Sequence, residues 1–172
     1  MRPPVDRDRI RALARELGRE ARRDTRLYLT GGATAVLLGW REATLDIDIR
    51  FEPEADELLR AVARLKDELG VNVELASPPE FVPELPGWRE RSPFVLEEGR
   101  IAVHHFDLYS QWLSKVERGF AHDLEDADAM VRDGLVDPDR MRELFEQVEP
   151  ELFRYPAIDA RALRAKVERA LG

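Results

Sequence analysis

The chain has 172 residues, of which 44% are hydrophobic and 36% charged, and a formal net charge of −8. This composition fits a water-soluble globular protein with a full core, and no apolar run approaches the roughly 20 residues that a membrane span requires. Cysteine is absent, which excludes disulfides, thiolate metal sites and cysteine nucleophiles.

Taken in order, the chain opens with arginines at positions 2, 7, 9, 11, 15, 19, 22, 23 and 26. Such a segment suits contact with RNA or an acidic partner, or simply forms the solvated face of a helix. The negative total argues against broad attraction to nucleic acid. No apolar signal region follows, so the expected compartment is the cytoplasm. Ile10, Leu13, Leu17 and Ala21 recur at helical spacing and predict an amphipathic helix over residues 6–23. Leu27–Leu29 reads as a strand, Gly31 to about Leu38 as a helix, and Trp40–Ala43 as a turn into a strand bearing Asp46 and Asp48, which Pro53 ends. Leu58, Val62, Leu65 and Leu69 mark a further helix, stopped by Gly70. Val71–Leu75 alternates as a strand, with Val71, Val73 and Leu75 on one face and Asn72 and Glu74 on the other.

Residues 77–88 are rich in proline and aromatic side chains and predict a packed loop beside the site rather than a linker. Phe94–Leu96 and Ile101–Phe106 read as a hairpin at the sheet edge, turning at Glu98-Gly99. Asp107 is an N-cap for a helix striped by Leu108, Trp112, Val116 and Phe120. A break near Gly119 leads to a second helix closed by Gly134. Met141, Leu144, Phe145 and Val148 define another, and Asp159 caps a last one. The expected fold class is α/β (α+β): a mixed sheet flanked by helices in 1–106 and a helical portion in 107–172, together one domain spanning 1–172.

Strand periodicity puts Asp46 and Asp48 on one face and Ile47 and Ile49 on the other. Two adjacent carboxylates repel unless a divalent cation lies between them, so the pair predicts a metal site. The Gly31-Gly32 pair opens a helix whose first N–H groups attract phosphate. Together the two features predict a metal–triphosphate site. Arg41, in the turn before the aspartate strand, is placed to reach a phosphate or is a surface arginine. Thr44 bonds to the backbone of that turn or touches a bound nucleotide. His104 and His105 are adjacent on a strand and face opposite ways, which argues against a shared metal, and His122 borders the site or is a surface residue. No serine stands in a nucleophile turn with a suitable histidine and acid.

The combination of Gly31, Gly32, Arg41, Thr44, Asp46 and Asp48 resembles the signature of the nucleotidyltransferase superfamily with a DNA polymerase β-type palm. It is most similar to the AbiEii-like branch, which includes toxins of toxin–antitoxin systems and uncharacterised bacterial proteins. The resemblance implies a metal-dependent nucleotidyltransferase that uses an NTP, with two Mg²⁺ ions, or Mn²⁺, on Asp46 and Asp48. It also implies a third carboxylate on a later strand, which Glu74 matches against the alternative of an exposed strand glutamate. A lysine, an arginine and an aspartate of the branch match Lys115, Arg118 and Asp123. By that resemblance the two cations contact nucleotide phosphates and Asp123 is a further functional acid, with Asp126 a weaker candidate. The implied acceptor is an RNA 3′ end or a protein, or a small molecule such as an aminoglycoside, and the implied partner is an antitoxin-type protein. The other readings are a catalytically inactive nucleotide- or partner-binding protein of this fold, and a structural α/β domain.

Overall fold

The computed structural model describes residues 2–172, so that Met1, where the expected domain begins, lies outside the described residues. The chain divides into two compact units, Met1–Ser77 with Pro93–Phe106 and Pro78–Ser92 with Asp107–Gly172.

The first unit contains α1 (Arg7–Glu20), β1 (Thr25–Thr30), α2 (Gly32–Leu38), β2 (Asp46–Glu52), α3 (Asp56–Glu68), β3 (Asn72–Leu75), β4 (Phe94–Glu98) and β5 (Ile101–His105). Its strands form one sheet in the order β3-β2-β1-β5-β4. β1 runs antiparallel to β2 and parallel to β5, β2 runs parallel to β3, and β4–β5 is the expected antiparallel hairpin at an edge. This is a mixed sheet with flanking helices, the predicted class. Alternation decides which face packs: Leu27, Leu29, Ile47, Ile49 and Val103 join Leu13 and Leu17 of α1, Val36 of α2 and Leu65 of α3 in one core.

Leu75 departs from the expected pattern. Val71 and Val73 are buried, but Leu75 is 49% exposed. It is the last residue of β3, an edge strand with a neighbour on one side only, so alternation there no longer guarantees cover.

Several of the early arginines hold helix ends. Arg7 donates to the Val36 and Leu37 carbonyls at 3.5 and 3.2 Å, at the end of α2. Beyond α3, Arg9 donates to Gly70 O at 3.2 Å and Arg2 to Val71 O at 2.7 Å. At the end of α2, carbonyls that the helix leaves without intrahelical donors gain a charged one from Arg7.

The second unit holds α4 (Trp88–Arg91), α5 (Leu108–Arg118), α6 (Ala121–Arg132), α7 (Pro138–Val148) and α8 (Ala160–Leu171), with short 3₁₀ turns at Pro78–Glu80 and Glu149–Arg154. Asp107 is fully buried and caps α5 by accepting from Tyr109 N and Ser110 N. The same carboxylate receives both arms of Arg91, at 3.1 and 2.8 Å, which ties the proline-rich segment to α5. Leu108, Trp112 and Val116 are buried at the predicted helical spacing, whereas Phe120, which precedes α6 as its N-cap, is exposed.

His104 and His105 do face opposite ways. His104 packs edge-on to Phe94 with ring centroids 5.6 Å apart, while His105 Nδ1 lies 3.0 Å from Thr34 Oγ1 of α2. Burial, and then the neighbouring His104, lower the His105 pKa from 6.5 to about 4. The unfolded chain therefore takes up a proton that the folded chain refuses, so the stability present above pH 6.5 falls as pH drops through the window from 6.5 to about 4. Denaturant titrations across that window should show a loss of about 3 kcal/mol, and the loss should shrink markedly in His105→Gln.

Candidate active site

The burial of β2 alternates along its length, with Ile47, Ile49 and Phe51 inside and Asp46, Asp48 and Arg50 half-buried on the other face. Strand register brings further groups to that face. Thr30 of β1 is the direct partner of Asp48, and Glu74 of β3 is its direct partner on the other side. One row across three strands therefore reads Thr30, Asp48, Glu74, with Asp46 beside Asn72 in the next row. The Thr30 hydroxyl oxygen is buried and has no hydrogen-bond partner among the described residues. A buried hydroxyl without a partner marks a point in the row that the protein's own groups leave unsatisfied.

The glycines explain how the chain turns here. Gly31 has φ +67°, in the region that favours glycine, and a Cβ on it would stand 3.0 Å from Asp48 Oδ2. A Cβ on Gly32 would stand 1.9 Å from Thr44 Oγ1. Thr44 cannot easily yield, because Val5 N donates to its carbonyl at 2.6 Å and its own N–H donates to Val5 O at 2.9 Å. Its hydroxyl donates to the Asp46 carbonyl at 3.2 Å, the backbone contact anticipated for it. Gly32 thus answers first to Thr44. Arg41 is half-buried, and its N–H, with those of Gly39 and Trp40, converges on the Ala35 carbonyl at the end of α2.

Arg50 was not singled out from the sequence. It follows Asp46 and Asp48 on the same face, and its guanidinium lies 3.5 Å from Glu52. The alternation Asp46-Ile47-Asp48-Ile49-Arg50 carried the signal: the period that groups the two aspartates also includes the arginine.

Lys115, Arg118 and Asp123 belong to the second unit, where they form ion pairs between α5 and α6. Lys115 Nζ is 2.8 Å from Asp126 Oδ2, with the two side chains 6% and 3% exposed. Arg118 grips Asp123 with two nitrogens, at 2.8 and 2.5 Å, and His122 Nε2 lies 3.6 Å from the same carboxylate. Burial works to raise the Asp123 pKa, but the Arg118 hydrogen bonds and charge, with Lys115 and His122, hold it below its usual value.

A family model described as a nucleotidyltransferase of unknown function (DUF6036) matches residues 8–168. The chain belongs to that family. Among curated proteins and among solved structures, no match is found. No helix among the described residues is long and apolar enough to cross a membrane.

For a DUF6036 nucleotidyltransferase, the donor chemistry of the carboxylate row is informative. Among the described residues, no group of three or more His, Cys, Asp or Glu is gathered closely enough to hold a metal by itself. Magnesium, however, is commonly bound by one or two carboxylates together with substrate phosphates and water. Asp46 and Asp48 supply that donor set, the unmatched Thr30 hydroxyl lies beside it, and Glu74 is in register to extend it.

Two predictions concern how this DUF6036 chain holds its functional groups. Gly32→Ala forces its methyl into Thr44 and should lower stability by about 1–3 kcal/mol, measured by denaturant unfolding, with partial recovery in Gly32→Ala/Thr44→Gly. Lys115→Ala removes the ammonium that lies 2.8 Å from the buried Asp126 carboxylate and should cost about 3–5 kcal/mol, whereas Lys115→Met/Asp126→Leu should regain most of it. Equal losses in both variants would show that the pair does more than neutralise buried charge.

Proposed function

We propose that this nucleotidyltransferase moves a nucleoside monophosphate from an NTP to an acceptor hydroxyl, on an RNA 3′ end or a protein, as an AbiEii-like enzyme that acts as a toxin. The observation that carries this reading is the row Thr30, Asp48, Glu74 with Asp46 alongside, at a corner where Gly31 passes within a methyl's reach of Asp48. Asp46 and Asp48, with Glu74 as third donor, would hold Mg²⁺, which when bound supplies the positive charge that orients a triphosphate and acidifies an acceptor hydroxyl.

The chain's own groups have separate tasks in this scheme. Gly31 has no side chain with which to cap α2, and N–H groups in the first turn of a helix can donate to phosphate oxygens. Asp48 or Glu74 accepts the proton of the acceptor hydroxyl as its oxygen attacks the α-phosphorus in line. The bond to the bridging oxygen breaks and pyrophosphate leaves. Arg50, on the face of the aspartates, and Arg41 offset the negative charge that grows on the leaving group.

The test is to incubate the protein with magnesium, each α-radiolabelled nucleoside triphosphate in turn, and either total RNA or cell lysate. Transfer to a macromolecule is expected, and Asp46→Asn/Asp48→Asn should reduce it at least about 100-fold while keeping the wild-type circular dichroism. Magnesium-dependent nucleotide binding without transfer would favour the binding-only reading, and label on a small molecule would replace the macromolecular acceptor. For the toxin role, expression of the wild type but not of the double variant should arrest growth.

A further inference from the structure

Within the second unit, α5, α6 and α8 pack against one another and leave an open cavity of about 570 Å³, a volume usual for small-molecule sites. The lining combines apolar side chains with two cations from one helix. Val116 of α5 is fully buried and Ala127 of α6 is 2% exposed, whereas Leu124 of α6 stays 45% exposed. Ala170 of α8 completes the apolar part. An apolar chain laid in this space would cover Leu124, and burial of such surface is favourable.

Lys166 and Arg169 both line the cavity and stand three apart on α8, so they share one side of that helix. Lys166 is half-buried, and its ammonium donates to the Glu117 carbonyl at 2.9 Å. That contact fixes the charge beside α5 and leaves two of its three protons to donate. The Arg169 guanidinium has no hydrogen-bond or ion-pair partner among the described residues, and its neighbour Glu168 is taken by Arg142 at 3.4 Å. One acid, Asp128, also lines the cavity, and Arg132 stands 3.6 Å from it. The cavity therefore holds one matched carboxylate and two cations without an acid of their own. A guanidinium fork suits a planar carboxylate, and Asp128 in the same lining disfavours a head with more than one negative charge.

We propose that this cavity binds an amphipathic monocarboxylate, with its apolar chain against Val116, Leu124, Ala127 and Ala170 and its carboxylate on Lys166 and Arg169. The site lies wholly within the second unit and does not depend on the transferase reading.

The test titrates the full chain with sodium decanoate, decan-1-ol and decylammonium chloride by isothermal calorimetry, each below the concentration at which it aggregates. Decanoate should bind at least about tenfold more tightly than the alcohol or the amine. Lys166→Gln/Arg169→Gln should erase that preference and leave binding of the alcohol unchanged. Ala170→Leu, which puts a larger side chain into the cavity and keeps both cations, should weaken decanoate and the alcohol alike, by about tenfold or more. Arg60→Gln/Arg161→Gln removes the same charge at exposed positions outside the cavity and should bind decanoate as the wild type does. Thermal melts without ligand check that every variant folds. Absence of decanoate binding, equal affinity for the three probes, or equal weakening by the two glutamine pairs overturns the proposal. So does decanoate binding that Ala170→Leu leaves intact, because the anion then sits elsewhere.

Discussion

Two residues without side chains allow the first unit to close its corner. Between β1 and α2 the chain must pass Asp48 and then Thr44 at distances that a single methyl group would violate, at Gly31 by contact with the carboxylate and at Gly32 by outright overlap. The Val5 bridge keeps Thr44 from retreating. The glycine pair is therefore a packing requirement before it is a ligand-binding device. The same closeness brings the start of α2 to the carboxylates, so one constraint serves both the fold and the chemistry proposed for it.

Charge is handled differently in the two units. In the first, arginines satisfy carbonyls at the ends of α2 and beyond α3, and carboxylates are gathered on one sheet face. In the second, lysine and arginine are matched one to one with aspartates between adjacent helices. Buried pairs of the Lys115–Asp126 kind add little net stability compared with apolar residues, but they penalise any arrangement that separates them. They define how α5 meets α6 more than how tightly.

Most of the fold could be read from periodicity. The helices around Leu13, Leu58 and Leu144 and the β4–β5 hairpin follow from spacing and turn residues, as does the Asp107 cap. The aspartate pair and its face were legible because a strand has a period of two. Sequence alone could not supply the register between strands, which is a long-range relation, and register is what sets Glu74 opposite Asp48. Arg50 was legible by the same period of two, since it follows Asp46 and Asp48 on one face of β2. Leu75 misled because alternation reports the side a residue faces and not whether anything covers that side. The arginine-rich opening looked uniform as a string; only hydrogen bonds to carbonyls distant in sequence divide it into helix-end donors and an unmatched remainder. Lys115 and Arg118 were recognised through resemblance, and their pairing with Asp126 and Asp123 depends on how two helices meet.

The edge position of β3 gives the carboxylate row two unequal halves. Asp46 and Asp48 sit on a strand with neighbours on both sides, whereas Glu74 sits on a four-residue strand paired on one side only. Short edge strands open locally at a small fraction of the free energy of global unfolding. On the chemistry proposed above, Asp46 and Asp48 would then be the fixed part of the seat and Glu74 the part that local opening of the edge withdraws.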